Sequence, residues 1–463
     1  MLKRFREDGK DLANGARQSL NDAHLTRTHV FWLLLAALAW LIEAYDIGLM
    51  GVALVPMRHL WSLTASDTGI LVSASTIGIV MGVIPAGYLI DRYGRKRLLV
   101  ASLIFYSLVS LLTGWAGSWQ EVAWLRLVAG LGLGAMFPIP YTLLAELSPN
   151  HLRGMAAGVL DAFLSVGYFA APLLAAWLVP ALGINAGWRM LFFVSGVGLI
   201  YAYILYRYLP ESPRWLISQG RRREASEILG RLRLSLDEPS YPMDLPPDRA
   251  ARLFQAPYLK RTIMMWIAFP AILFMFYAIM SFMPTVLVKE GFTSRDAYLF
   301  SSLIMAASIP GKFLEGWLVE HWGRKSLIIA FSLAGGVAAL LFPLARGTFS
   351  IVAIGIVLAF FGIAVDPAIK VFSAEQYPTT LRGRGVAFTE GVGRLLGGAL
   401  APYIMALVLA NGGISRSFDF VAVVAAVGAV SVATLGSETK GLALEERALG
   451  SKAGLNIVGE GTT

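Results

Sequence analysis

Gly87-Tyr88-Leu89-Ile90-Asp91-Arg92-Tyr93-Gly94-Arg95-Lys96-Arg97 is a short, charged, glycine-punctuated turn between two long apolar runs. Its pattern returns as Gly316-Trp317-Leu318-Val319-Glu320-His321-Trp322-Gly323-Arg324-Lys325. The offset is constant, since 316−87, 320−91, 323−94 and 324−95 all equal 229. A second pair keeps it: Glu146-Leu147-Ser148-Pro149 with Leu152-Arg153-Gly154 matches Glu375-Gln376-Tyr377-Pro378 with Leu381-Arg382-Gly383. The chain therefore reads as two copies of a unit of roughly 230 residues, and a functional site belongs between them.

What surrounds the turns is built for lipid. Of the 463 residues 56% are hydrophobic and 15% charged, and the mean hydropathy is +0.64; soluble domains carry about 25% charged residues. Apolar runs fall near 30–55, 68–90, 98–117, 121–146, 154–180, 188–209, 261–288, 297–319, 326–345, 349–372, 384–409 and 417–436. Each can cross a hydrocarbon core of about 30 Å as a helix, the form that satisfies its own backbone in lipid. The expected fold is an all-α membrane protein with twelve transmembrane helices. A polar arm (1–29) precedes the first repeat (30–209), a linker with a basic amphipathic stretch (210–260) separates it from the second (261–436), and a Gly-rich tail (437–463) follows.

The formal net charge of +9 has a topological cause. Most of the 39 Lys and Arg lie in the arm, the even-to-odd loops and the tail, which places both termini in the cytoplasm and argues against a nucleic-acid surface. Without cysteine there is no disulfide, thiolate metal site or cysteine nucleophile. No metal constellation, nucleotide loop or nucleophile triad is visible, so no cofactor or enzymatic activity is expected. Gly130-x-Gly132-x-Gly134 follows no strand and reads as helix packing, like Gly78, Gly82 and Gly87. The short outward loops and the absence of any Asn-x-Ser/Thr acceptor favour a bacterial inner membrane.

Charges inside the apolar runs are expensive, about 2.5–3.5 kcal/mol each on insertion scales, and need a partner or a wet cavity. Lys312 with Glu315, Asp366 with Lys370, and Glu390 with Arg394 are spaced to pair along their own helices. Glu390, however, sits at 161+229, so both repeats put a carboxylate at one place, and Asp161 has no cation within four residues. Asp161 and Arg394 are therefore candidates to line a cavity. Asp46, in Glu43-Ala44-Tyr45-Asp46, is either protonated or paired from another helix, and Arg126 is the cation placed to serve. Burial and a nearby guanidinium push a carboxyl in opposite directions, a balance suited to a proton carrier; a permanent tether between helices is the plainer alternative.

The Asp-Arg-x-Gly-Arg-Lys turn, its second copy, the Glu-x-x-Pro…Arg-Gly stretches and Pro210-Glu211-Ser212-Pro213-Arg214 together resemble the major facilitator superfamily, over about residues 30 to 440. The resemblance implies two pseudo-symmetric six-helix bundles around a central cavity, with alternating access as they rock. It also implies a cytoplasmic gate of salt bridges, here Asp91, Arg95, Glu146, Arg153, Glu211, Glu320, Arg324, Glu375 and Arg382. Proton-coupled sugar porters pair a first-helix Asp with a fourth-helix Arg, positions that Asp46 and Arg126 match.

The seventh run departs from sugar porters: Phe269-Pro270-Ala271-Ile272-Leu273-Phe274-Met275-Phe276-Tyr277 offers no amides for sugar hydroxyls, and each unpaired hydroxyl would cost roughly 1–3 kcal/mol. The stretch from Glu375 through Arg394-Leu395-Leu396-Gly397-Gly398-Ala399-Leu400-Ala401-Pro402 is more similar to organic-ion and bacterial niacin transporters. An Arg opposite aromatic rings suits a small planar carboxylate. The expected activity is proton-coupled import of such an acid, nicotinate first, by a monomer whose partners are its small-molecule substrate, protons and the bilayer. Arg394 would hold the carboxylate and Phe274, Phe276, Tyr277, Tyr45, Phe163 and Tyr168 the ring, with Asp161 and Glu390 tuning polarity. The alternatives are an organic-cation or drug antiporter, using Asp161 and Glu390 as counter-charge, or a transporter of another aromatic or sugar-derived acid.

Overall fold

Glycines of positive φ divide the apolar runs into crossings. The computed structural model describes residues 26–136, 139–140, 143, 153–232, 253–254, 258–377 and 379–440. Helix α1 (Arg27–Trp61) starts at Thr26, whose hydroxyl accepts the His29 N–H, and α2 (Ala65–Tyr93) starts at Thr64 in the same way. Next come α3 (Arg95–Thr113) and α4 (Trp119–Met136). Helix α5 (Arg153–Val194) is broken at Gly183 (φ 81°), and its second limb is followed by α6 (Val197–Tyr208). Two short helices, α7 (Pro213–Ser218) and α8 (Arg222–Arg231), lead away from the first repeat.

The second repeat opens with α9 (Tyr258–Lys289). One apolar run becomes α10 (Ser294–Ala306) and α11 (Ser308–Trp322), another α13 (Gly347–Ala364) and α14 (Asp366–Glu375), with α12 (Arg324–Leu341) between them. The one-residue interruptions at Ala307 and Val365 keep helical backbone angles, so Ser294–Trp322 and Gly347–Glu375 each remain one crossing, as expected from 297–319 and 349–372. Pro310 and Pro367 explain them, because each lacks an N–H and crowds the preceding turn. Helix α15 (Thr379–Gly393) passes through a π turn (Arg394–Ala399) into α16 (Leu400–Leu435), which is broken at Gly413 (φ 72°).

Among the described residues nine helical stretches are long and apolar enough to cross a membrane. Two of them, Gly158–Tyr208 and Arg384–Leu435, run 51 and 52 residues and are divided by Gly183 and Gly413 into two crossings each. With the 18 residues of α4 the total is twelve, six per repeat.

Within the first repeat α1 lies along α5 and α2 along α4. The α2–α4 contact depends on Gly78 and Gly130: a Cβ on either would come within 2.9 Å or less of the other's Cα. Close van der Waals approach of this kind holds helices together where lipid removes the hydrophobic drive. In the second repeat α9 and α12 pack on α16. The halves meet along α5 with α10, α1 with α9, and α2 with the π turn and α16. Tyr298 donates across this seam to the Val52 carbonyl at 3.1 Å, and the Ser66 and Tyr403 hydroxyls pair at 3.4 Å. Both contacts lie toward the end of the bundle remote from the Gly94 and Gly323 turns.

Candidate functional site

The centre of the first repeat is a closed polar knot. Asp46 on α1 and Arg126 on α4 stand 2.7 Å apart, and both side chains are 0% exposed. Arg126 also donates to Ser75 Oγ at 3.0 Å, to Ser110 Oγ at 2.7 Å and to the Asp46 carbonyl at 3.3 Å. Ser195 donates to the other Asp46 oxygen at 3.1 Å. The guanidinium thus joins four helices, and Ser195, the residue after α5, is tied in through the Asp46 carboxylate, the kind of pairing that a buried charge requires.

The centre of the second repeat is more open. Arg394 begins the π turn, a wider coil that carries a side chain out of α-helical register. Small residues make room for it: a Cβ on Gly397 would meet Leu273 Cβ at 2.8 Å, and one on Gly398 would meet Thr76 Cγ2 of the other half at 2.8 Å. Arg394 Nε lies 3.0 Å from Glu390 Oε2, with side chains 8% and 24% exposed. On α14 the Lys370–Asp366 pair closes at 2.6 Å.

Aromatic rings bridge the two centres. Tyr168 of α5 meets Phe276 of α9 edge-on at 5.3 Å, and Phe276 meets Tyr277 at 5.1 Å, an arrangement that edge-to-face quadrupoles favour. Phe274 faces Phe420 of its own half at 5.4 Å, and the Tyr45 hydroxyl donates to the Leu191 carbonyl at 2.9 Å. Phe163 is half-buried against the apolar core.

Lys312 differs from expectation. It forms no ion pair with Glu315; its Nζ donates to the Asp161 carbonyl across the seam at 3.3 Å. The start of α11, one turn past the Ala307 interruption, brings Lys312 against α5. A cation for the Asp161 region therefore comes from the other half, which local spacing could not show.

At the turn end the gate residues form two similar clusters. Glu211 accepts the Arg95 and Lys96 N–H groups at 2.8 and 3.0 Å, while Arg95 stands 3.6 Å from a largely exposed Asp91. In the second repeat Arg324 meets Glu320 at 3.0 Å. Its Nε is 3.3 Å from Glu375 Oε2, near enough for an ion pair although the N–H is not aimed along that line. Glu146 lies outside the described residues, as do the side chains of Arg153 and Arg382.

Two residues escaped the sequence reading of the site. Glu438 accepts the Arg324 and Lys325 N–H groups at 3.0 and 3.1 Å, the counterpart of Glu211. Its offset is 438−211 = 227, two short of the repeat, although Glu211-Ser212 and Glu438-Thr439 carry the same signal. Glu43, one turn before Asp46, is 0% exposed, and neither carboxyl oxygen has a hydrogen-bond partner among the described residues.

The Major Facilitator Superfamily model matches residues 33–389. The niacin transporter NiaP of Acinetobacter baylyi is 31% identical over 426 residues, covering 90% of this chain and 96% of that protein. The 4-hydroxybenzoate transporter PcaK of the same organism is 27% identical, over 86% of this chain and 88% of the relative. In three dimensions the inward-open xylose transporter XylE from E. coli superposes with a TM-score of 0.75 at 19% identity, over 90% and 99% of the two chains.

Proposed function

This chain belongs to the major facilitator superfamily and is a multi-pass membrane transporter of small molecules, and we propose that its cargo is a small aromatic carboxylate, nicotinate first, imported with a proton. The observation that carries the reading is the placement of Arg394: a guanidinium on a π turn, in the same bundle centre as the Tyr168–Phe276–Tyr277 rings. A guanidinium can fork a carboxylate while edge-on rings take the aromatic plane. The names of NiaP and PcaK, carriers of a pyridine and a benzene carboxylate, support the same cargo class.

In this reading Asp46 takes the proton. Protonation removes the charge that holds Arg126 to α1, loosening the knot and biasing the rocking of the halves. The Gly94 and Gly323 turns face the cytoplasm, as the basic loops imply, and each cluster fastens the helix ends of its own half. The Glu43 carboxyl, buried with no hydrogen-bond partner among the described residues, instead favours an organic-cation antiporter.

Uptake into proteoliposomes under an imposed pH gradient separates the readings, with nicotinate, benzoate, a hexose and an organic cation as probes. Gradient-dependent nicotinate or benzoate uptake is expected. Cation uptake with no response to either acid would overturn it. Asp46→Asn should abolish gradient-driven uptake and spare counterflow exchange; equal loss of both would remove Asp46 from the coupling step.

A further inference from the structure

We propose that Glu315 is a second proton-binding residue, and that its proton decides which partner Lys312 takes: the Asp161 carbonyl of the other half while Glu315 is protonated, Glu315 itself once it is bare. The inference rests on the proton-coupled reading and adds to it a site apart from Asp46. Lys312 and Glu315 stand three residues apart on α11 and are 6% and 4% exposed. That spacing suits an acid–base pair along one helix. Two comparable pairs inside the apolar runs of this half do close, Lys370–Asp366 at 2.6 Å and Arg394–Glu390 at 3.0 Å. Lys312–Glu315 stays open. The ammonium crosses the seam to the Asp161 carbonyl at 3.3 Å, and the Glu315 carboxyl has no hydrogen bond or ion pair among the described residues.

A carboxylate beside an ammonium in a medium of low dielectric draws it strongly, whereas a neutral acid exerts no such pull and is far less costly to bury. The open pair is therefore the arrangement of a protonated Glu315. The charges around it leave room for one proton. Asp161 of α5, Asp366 of α14 and Arg324 of α12 face Glu315, while Asp161, Asp366 and Lys370 face Lys312. Arg324 is taken by Glu320 and Glu375. Helix α13, which packs along α11, has no charged residue, and those of α10, Arg295 and Asp296, sit in its first turn at the other end of the crossing. The buried group thus sets three carboxyls, Asp161, Glu315 and Asp366, against two ammoniums, Lys312 and Lys370. One proton balances it, and of the three carboxyls Glu315 is the one without a partner.

Asp161 lies 161−153 = 8 residues into α5, about 12 Å by the helical rise, so the Lys312 contact holds the part of the seam nearer the Gly94 and Gly323 turns. Opening at that end parts α11 from α5 and takes the carbonyl away from Lys312. A bare Glu315 then offers the ammonium a replacement on its own helix, and a protonated one does not. Proton release and opening toward the turns therefore favour each other, and by linkage each shifts the other by the same factor. Acid should hold this end shut and alkali should let it open, so a proton bound from the far side is given up on the side of the turns.

The chain has no cysteine, so spin labels can be placed on full-length protein at Arg97→Cys and Ser326→Cys, exposed and equivalent positions of the two halves at the turn end. Distances between them are measured in lipid nanodiscs without cargo, in acid and in alkaline buffer. The ratio of short to long distances should fall roughly tenfold from acid to alkali. Asp46→Asn should keep part of that response, and adding Glu315→Gln should remove the rest and hold the short distance in both buffers, because a neutral amide never draws Lys312 away. Glu315→Asp should restore the response, and Lys312→Met should abolish it, since a bare Glu315 then has no cation to meet. If Asp46→Asn protein fails to fold, Glu315→Gln in the otherwise native chain should cut the response several-fold, with Glu315→Asp again restoring it. A response that Glu315→Gln leaves unchanged, or that Asp46→Asn alone abolishes, would overturn Glu315 as a proton site, and so would no response at all. A response that Glu315→Gln removes and Asp46→Asn does not touch would support Glu315 and count against the coupling role of Asp46. Because the readout needs no cargo, a failure of aromatic-acid transport would count against the cargo alone.

Discussion

At the turn that ends α2, Gly94 has φ 93° and ψ 163°; at the turn that ends α11, Gly323 has φ 92° and ψ 162°. The neighbours repeat as well. Arg95 donates to the Ile90 carbonyl at 3.4 Å and Arg324 to the Val319 carbonyl at 3.3 Å, while Glu211 and Glu438 cap α3 and α12. At the bundle centres the likeness ends. Asp46–Arg126 joins two helices and is sealed from solvent, whereas Glu390–Arg394 lies along one helix and keeps Glu390 24% exposed. The likeness at this end is one of helix-end chemistry: a glycine of positive φ followed by two N–H groups held by a carboxylate of the same half. The centres therefore differ in kind: one pair ties separate helices together, the other lies along a single helix with its carboxylate partly solvated.

The sharpest test of that division is stability. Arg126→Ala leaves Asp46 buried without its cation, a change that costs about 3–5 kcal/mol where an ion pair is fully enclosed. Arg394→Ala leaves Glu390 partly solvated and should cost about 1 kcal/mol or less. Thermal unfolding of the two variants in detergent should therefore differ widely, with Arg126→Ala recovered poorly or not at all. Equal losses would break the contrast.

The next effect is functional and runs the other way. Arg394→Gln removes charge-assisted hydrogen bonds to a bound carboxylate, about 1.5–3 kcal/mol, so KM for nicotinate or benzoate uptake should rise roughly ten- to a hundredfold. Uptake of the neutral amide of the same acid, if any, should not change. Glu43→Gln sharpens the first-repeat side. Its oxygens accept nothing among the described residues, so the isosteric amide should leave folding intact, and a shift in the pH profile of uptake would place Glu43 in the proton path beside Asp46.

How far the sequence reached depends on whether a feature is local. The crossings were legible because an apolar run of bilayer length has one stable form, and the repeat was legible because the turns carry charge among apolar residues. The Asp46–Arg126 contact was legible because isolated charges in long apolar runs have few possible partners. The Lys312 contact was not, since its acceptor is a backbone carbonyl of the other half. The π turn at Arg394 was also hidden: it exists because Gly397 and Gly398 let α9 and α2 press in, and periodicity does not register a tertiary cause. Phe274 packs edge-on against Phe420 and the Tyr45 hydroxyl donates to the Leu191 carbonyl, partners that composition cannot rank. Pro310 and Pro367, by contrast, were readable signals for the two helix interruptions.

The turns themselves should respond alike. Gly94→Ala and Gly323→Ala each force a Cβ into a positive-φ backbone, roughly 1–2 kcal/mol, and aim it at the carboxylate of Glu211 or Glu438. The two variants should lose similar stability, and a large difference would mean that the ends are less equivalent than their geometry.

The smallest effect tests the same equivalence most cleanly. Glu211 accepts both N–H groups that open α3 on one oxygen, so Glu211→Gln keeps that acceptor, whereas Glu438 accepts the two that open α12 on separate oxygens, so Glu438→Gln keeps an acceptor for one of them; both substitutions remove the negative charge that faces the helix dipole. Such a charge contributes about 0.3–1 kcal/mol and is screened by salt. Each variant should lower the unfolding temperature slightly at low ionic strength, Glu438→Gln somewhat more because one N–H also loses its acceptor, and the charge-dependent part of the loss should be similar in both and shrink as salt is added. Glu438 has one further tie: the next residue, Thr439, donates to Glu375, which also faces Arg324. If the salt-dependent part of the loss were clearly larger for the second-repeat variant, the excess would measure that added network of charges. The symmetry would then belong to the backbone of the turns and not to the charges that fasten them.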